Sequence, residues 1–129
     1  MLNSLVNTKL NKRVDSHLNY HGLSFTDYMI IHHLFSSSQK CMRRIDLAEC
    51  VGISASGVTR LLSPMQKVGI VEKQTNPRDA RVSLVKLTAA GESLYKDATV
   101  SFTECSKNLL QSITDIQLNT MSDLIKKLI

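Results

Sequence analysis

Tryptophan is absent from this 129-residue chain, and phenylalanine and tyrosine occur three times each. Aliphatic side chains must therefore fill any core. No apolar run approaches the length a membrane-spanning helix needs. Asn3, Ser4, Asn7 and Lys9 interrupt the opening residues. No signal-peptide pattern results, and the expected compartment is the cytoplasm. The cysteines, Cys41, Cys50 and Cys105, are odd in number and widely spaced, which argues against a disulfide framework. Cys50 is expected to be small and partly buried. No internal repeat or low-complexity tract occurs. There is no Gly-rich phosphate loop, and the Ser, His and acidic residues form no recognisable elbow or dyad. The expectation is no enzyme, no catalytic residue and no cofactor.

What is present suits one domain, or one domain with helical arms, at an ordinary hydrophobic fraction of 43%. The organising stretch runs from Asp46 to Gly91. Leu47 and Val51 lie on one helical face, with Ala48 small where a second helix presses close. Gly52 follows at a turn that favours positive φ, and Ile53 is an apolar plug. Val58, Leu61, Leu62, Met65 and Val68 then recur at helical spacing and predict a buried stripe on a second helix. Together these are the marks of a helix-turn-helix. Pro64 falls inside that helix, where it is expected to kink it or tighten its outer half.

The next residues predict a β-ribbon. Ile70 to Thr75 and Val82 to Thr88 are rich in β-branched residues. The hexapeptide between them, Asn76 to Arg81, forms turns and carries two cations. A helix-turn-helix followed by a ribbon with a basic tip is a winged helix. Charge agrees. Residues 36–91 hold nine Lys and Arg against four Asp and Glu, so 9 − 4 = +5, which equals the net charge of the whole chain. Cations gathered on such a motif are what phosphate neutralisation requires.

These residues resemble the MarR family of bacterial transcription regulators. Its wing pattern is Asp-x-Arg, three residues, Val-x-Leu-Thr, two residues, Gly. Asp79, Arg81, Val85, Leu87, Thr88 and Gly91 meet that pattern. Leu47-Ala48, Val58-Thr59-Arg60 and Gly69-Ile70-Val71 match as well. The resemblance implies a cytoplasmic homodimer on double-stranded DNA at a roughly palindromic operator, acting as a repressor or activator and open to a small-molecule effector. The implied fold is mainly α with a small β-wing, a winged helix-turn-helix over 24–91 flanked by helical dimerisation arms at 1–22 and 92–129.

The arms are also visible in the residues. Leu2, Leu5, Val6, Leu10, Val14 and Leu18 make a helical stripe that His21-Gly22 ends. Ile116, Met121, Leu124, Ile125, Leu128 and Ile129 make another. A single copy leaves both exposed, which favours a homodimer. Between the arms, Ser24 with Asp27 predicts a capping pair. Cys41 and Met42 predict a short strand against the wing. Thr88 is expected to cap a helix from Ala89 to about Gln111.

Candidate DNA-binding residues on the second motif helix are Ser54, an N-cap, then Ser56, Gly57, Thr59, Arg60 and Ser63, off the apolar stripe and free to face a major groove. Arg60 contacts either guanine or phosphate. On the wing they are Arg78, Asp79 and Arg81. The resemblance implies that Arg81 enters a minor groove with Asp79 holding its guanidinium. Relatives place effectors between arms and body, where Tyr20, His21, Tyr28 and His32 are the polar or aromatic candidates. His17 and His21 have the i, i+4 spacing of two ligands on one helix face, with Asp15, Cys105 or a second chain as a third. The histidine-rich pattern of zinc-sensing relatives is missing from the last helices, so no metal site is expected. A protein–protein adaptor and a metal- or redox-responsive regulator are the alternatives. The cysteine through which some relatives sense oxidants has no counterpart in the first helix.

Overall fold

The computed structural model describes residues 1–129. Helix α1 (Leu2–Leu18) passes through a 3-10 turn (Asn19–His21) into α2 (Phe25–Ser36). Gly22 closes the 3-10 turn at φ +73°. Ser24 Oγ accepts from Asp27 N–H and Asp27 returns a carboxylate to Ser24 N–H, completing the expected capping box. A short strand β1 (Cys41–Arg43) leads into α3 (Arg44–Val51) and α4 (Ala55–Lys67). Gly52 makes the left-handed turn between them at φ +75°, and its N–H and that of Ile53 both reach the Ala48 carbonyl. Strands β2 (Val71–Asn76) and β3 (Asp79–Leu87) form the wing, α5 (Ala89–Leu110) follows, and α6 (Asp115–Lys126) ends the chain.

The three strands run antiparallel in the order β1-β3-β2, with Cys41 opposite Lys86 and Val71 opposite Leu87. The ribbon is longer than the expected Val82–Thr88 because β3 starts at Asp79. The register slips between Thr75 and Asn76, where Asn76 pairs with Asp79 around the tip Pro77-Arg78. Such a slip raises local twist and re-aims the tip.

The core is the aliphatic one the composition demands. Leu18, Ile30, Ile31, Leu34, Leu47, Val58, Leu62 and Val85 are fully buried, each worth about 1.5–3 kcal/mol on the area scale. Tyr28 and Tyr95 add the few aromatics available. Three expectations need correction. Val68 is exposed, because the helix has ended there (φ −93°, ψ 2°) and the 3.6-residue period no longer applies. Cys50 is exposed, since the buried face of α3 passes through Leu47 and Ala48. His17 and His21 do not share a helix face, because α1 stops at Leu18. His17 Nδ1 lies against its own Arg13 carbonyl, whereas His21 Nε2 lies against Ser101 Oγ. α4 runs through Pro64 to Lys67 as one helix.

Burial stops short of both ends. No residue before Val14 or after Cys105 is buried, and α6 contributes none at all. No helix is long and apolar enough to cross a membrane.

Candidate nucleic-acid interface

The buried trio Val58, Leu62 and Met65 sets how α4 rolls on the body. Ser56, Thr59, Arg60 and Ser63 are thereby left on its exposed side. Ser54 caps the helix, its Oγ accepting from Gly57 N–H at 3.0 Å and standing 3.1 Å from Ser56 Oγ. Gly57 has a local reason to lack a side chain: a Cβ there would sit 3.1 Å from that cap oxygen. Thr59 is tied twice. Its hydroxyl donates back to the Ala55 carbonyl (3.2 Å) and accepts from Arg44 Nη1 (2.8 Å). Arg44, the first residue of α3, is thus part of the surface, and sequence reasoning missed it. Its only sequence signal was the adjacent pair Arg43-Arg44.

In the wing, Arg78 N–H donates to Asn76 Oδ1 at 2.9 Å, closing the tip. Asp79 and Arg81 form an ion pair, Nε to Oδ1 at 3.2 Å. The cations divide into two groups. Lys40 pairs with Glu92, Arg43 with Asp46 and Arg81 with Asp79. Arg44, Arg60 and Arg78 have no carboxylate partner. The bond from Asp46 raises the Arg43 pKa further above its already high value.

The wing and α4 are joined through the start of α5. Thr88 Oγ1 caps α5 by accepting from Gly91 N–H (3.1 Å), and its one proton is shared between the Gly69 carbonyl (2.5 Å) and the Ile70 carbonyl (2.9 Å). Thr88 N–H reaches the same carbonyl (3.1 Å), and Ile70 N–H reaches Met65 in α4 (2.9 Å). A short chain of bonds therefore links the end of α4, the root of the wing and the long helix.

The four effector candidates do not line one cavity. Tyr20 is exposed. His21 bonds Ser101, Tyr28 OH bonds Thr99 Oγ1 at 2.9 Å, and His32 Nδ1 bonds Tyr95 OH at 2.8 Å. The last three make a polar seam along α5, with Tyr28 also stacked on Phe102 at 4.8 Å. Burial raises the Tyr28 pKa. An apolar hollow of about 280 Å³ lies elsewhere, between α1 and α5, beside Leu10, Val14, Phe25, Phe102 and Leu109. Burial also raises the Cys41 and Cys105 thiol pKa values.

A MarR-family model matches residues 21–82, from the 3-10 turn to just past the wing tip. The HTH-type transcriptional regulator PrsX of Escherichia coli is 20% identical over 123 residues, spanning 95% of this chain and 74% of that protein. A mutant MarR from E. coli complexed with operator DNA has a TM-score of 0.90 at 22% identity, over 99% of this chain and 91% of the other. The S. aureus MepR–DNA complex scores 0.89 at 17% identity, over 98% and 93%.

Residues 21–82, just under half of the chain, are thus similar to the MarR family, and the fold is that of MarR-type winged helices. The matched family and this fold are those of transcription regulators rather than enzymes. Of the two arms, the family model reaches only residues 21 and 22 of the first.

Proposed function

We propose that this MarR-family regulator binds double-stranded DNA as a homodimer, with α4 in the major groove and the wing over the neighbouring minor groove. The observation that carries the reading is the rigid pairing of two cationic elements. The buried stripe of α4 turns Arg60 outward, the wing presents Arg78 and Arg81, and the Thr88–Ile70–Met65 bonds join their roots. Ser54, Ser56, Gly57, Thr59, Arg60 and Ser63 form the major-groove face; Arg78, Asp79 and Arg81 form the minor-groove face. MarR and MepR, its structural likenesses, were both solved with DNA.

Residues 1–22 and 92–129 serve as dimerisation arms around the winged part at 24–91. A two-fold dimer reads a roughly palindromic operator, in the cytoplasm where the DNA lies. A protein seated in both grooves of an operator excludes other proteins from it, so its action is repression. Effector control acts through the seam of His21, Tyr28 and His32 on α5, which joins the winged part to an arm. A ligand that competes for those bonds alters the angle between the two.

The test is selection from a random double-stranded pool with purified full-length protein, followed by a salt titration of the winner. An inverted repeat with half-sites about 10 base pairs apart is expected, with log affinity falling linearly in log salt. Failure to enrich any sequence, with salt-independent retention, would overturn the reading.

A further inference from the structure

We propose that Arg44 is a positioning residue for base recognition, acting through Thr59 on the exposed face of α4. A threonine hydroxyl has one proton to donate and two lone pairs. In this structure the proton goes to the Ala55 carbonyl and one lone pair takes the Arg44 Nη1 proton. Thr59 therefore has no donor left for a base. Its rotamer is held by two partners on different elements, one on its own helix and one on α3. What remains to read DNA is the methyl group and a single lone pair.

That remainder has a base preference. In the major groove guanine shows only acceptors, which a Thr59 without a free proton does not satisfy. Thymine shows a methyl group, which the Thr59 methyl complements by apolar contact. The arrangement therefore favours an A·T pair, thymine methyl towards Thr59, at one position of each half-site.

Arg44 is built for this task rather than for a local ion pair. Its neighbour Arg43 is held bidentate by Asp46, Nε to Oδ2 at 2.8 Å and Nη2 to Oδ1 at 3.0 Å. Arg44 has no carboxylate, and its Nε is buried without any partner. A buried unpaired donor is unfavourable. Its retention beside an exposed bond to the recognition helix marks a side chain placed for the interface rather than for stability.

The inference rests on the DNA-binding reading, and the test separates the two. Full-length wild type, Arg44→Met, Arg44→Lys, Thr59→Val and Thr59→Ser are each put through selection from the random pool, with melting curves to show that each is folded. Wild type should prefer thymine at the position that Thr59 variants alter, by about fourfold, the worth of one buried methyl. Thr59→Val keeps a methyl there and, unlike Thr, is held in one helix rotamer by its own branching without Arg44, so it should keep the preference; Thr59→Ser should lose it. Arg44→Met should relax that one position and leave the others sharp. Arg44→Lys keeps the charge without the planar fork, so it should retain the salt slope and still relax the position.

Uniform weakening by Arg44→Met across all sequences would make Arg44 a plain phosphate contact and overturn the proposal. Wild-type preference in Arg44→Lys, or loss of preference in Thr59→Val with retention in Thr59→Ser, would overturn it too. A wild-type protein that selects no sequence overturns the DNA-binding reading and this inference together. A selective wild type with an unaltered Arg44→Met overturns this inference alone.

Discussion

One carboxylate oxygen, Asp79 Oδ1, accepts two bonds from Arg81, from its backbone N–H at 3.0 Å and from its Nε at 3.2 Å. The first fixes the backbone as an Asx turn, and the second fixes the side chain. The Arg81 side chain is 91% exposed, so the pair adds little to folding stability. Its consequence is geometric: the Arg81 Nε is tied to the turn that Asp79 itself closes.

On the proposed docking, Asp79→Ala is therefore expected to weaken operator binding, although it removes a negative charge from the wing tip. Ordering a free Arg81 on binding costs about 0.5–1.5 kcal/mol. The carboxylate's repulsion is screened over about 8 Å at physiological salt. Arg81→Ala should weaken binding further, and the double variant should be no worse than Arg81→Ala, because Asp79 acts through Arg81. Operator titrations of the four proteins check this. Tighter binding by Asp79→Ala at moderate salt would show that charge alone governs.

Gly91 cannot carry a side chain. A Cβ there collides with the Ile70 carbonyl oxygen and stands 2.6 Å from Leu87 Cδ1. The first neighbour is backbone and is itself bonded to Thr88, so it has little room to move. Gly91→Ala is expected to destabilise by about 1–3 kcal/mol, as overpacking does. It should also reduce operator affinity in the folded fraction, by loosening α5 from the root of the wing. Urea unfolding is the check, and an unshifted midpoint would contradict the packing argument.

The motif helices, the wing and their caps were legible because their causes are local. Ser24, Ser54 and Thr88 each cap a backbone N–H three residues on, and Gly52 adopts the positive φ its place required. Val68 was misread because periodicity persists in a sequence after the helix has stopped. The wing tip was misread because its register slip depends on how β3 pairs across Pro77-Arg78. The Arg44–Thr59 bond joins residues fifteen apart, and the His32–Tyr95 bond joins residues sixty-three apart. No spacing rule reaches such pairs; they follow from how α3 lies on α4 and α2 on α5.

His33 makes stability depend on pH. Burial lowers its pKa from 6.5, with the adjacent His32 adding to the effect, and its Nε2 has no partner. The unfolded chain then binds more protons than the folded one just below 6.5. Stability should be full above that pH, fall as pH drops towards the folded-state pKa, and level off beneath it. His33→Leu should remove that part of the slope. Unfolding free energies from about pH 5 to pH 8 decide it. Equal slopes in wild type and variant would sink the assignment.

The last prediction concerns the arms. Met121, Leu124 and Ile125 form a stripe on α6 that Leu128 continues in the turn after it, and Leu2, Leu5, Val6 and Leu10 form one on α1; all eight are exposed in the single chain. If the chain worked alone, a polar residue at Leu124 would change stability by no more than about 0.5 kcal/mol, the usual range for surface positions. In a homodimer closed by these stripes, the same change removes a leucine worth about 1.5–3 kcal/mol when buried and sets a carboxylate in its place. Two measurements separate the cases. Wild type should sediment as a dimer, and its melting temperature should rise with protein concentration, because association favours the folded state by mass action. Leu124→Asp should shift the protein towards monomer, lower the melting temperature and flatten its concentration dependence. Operator affinity should fall with it, since a monomer meets one half-site instead of two. A wild type that stays monomeric, with a melting temperature independent of concentration, would show that the stripes are not closed by a second copy.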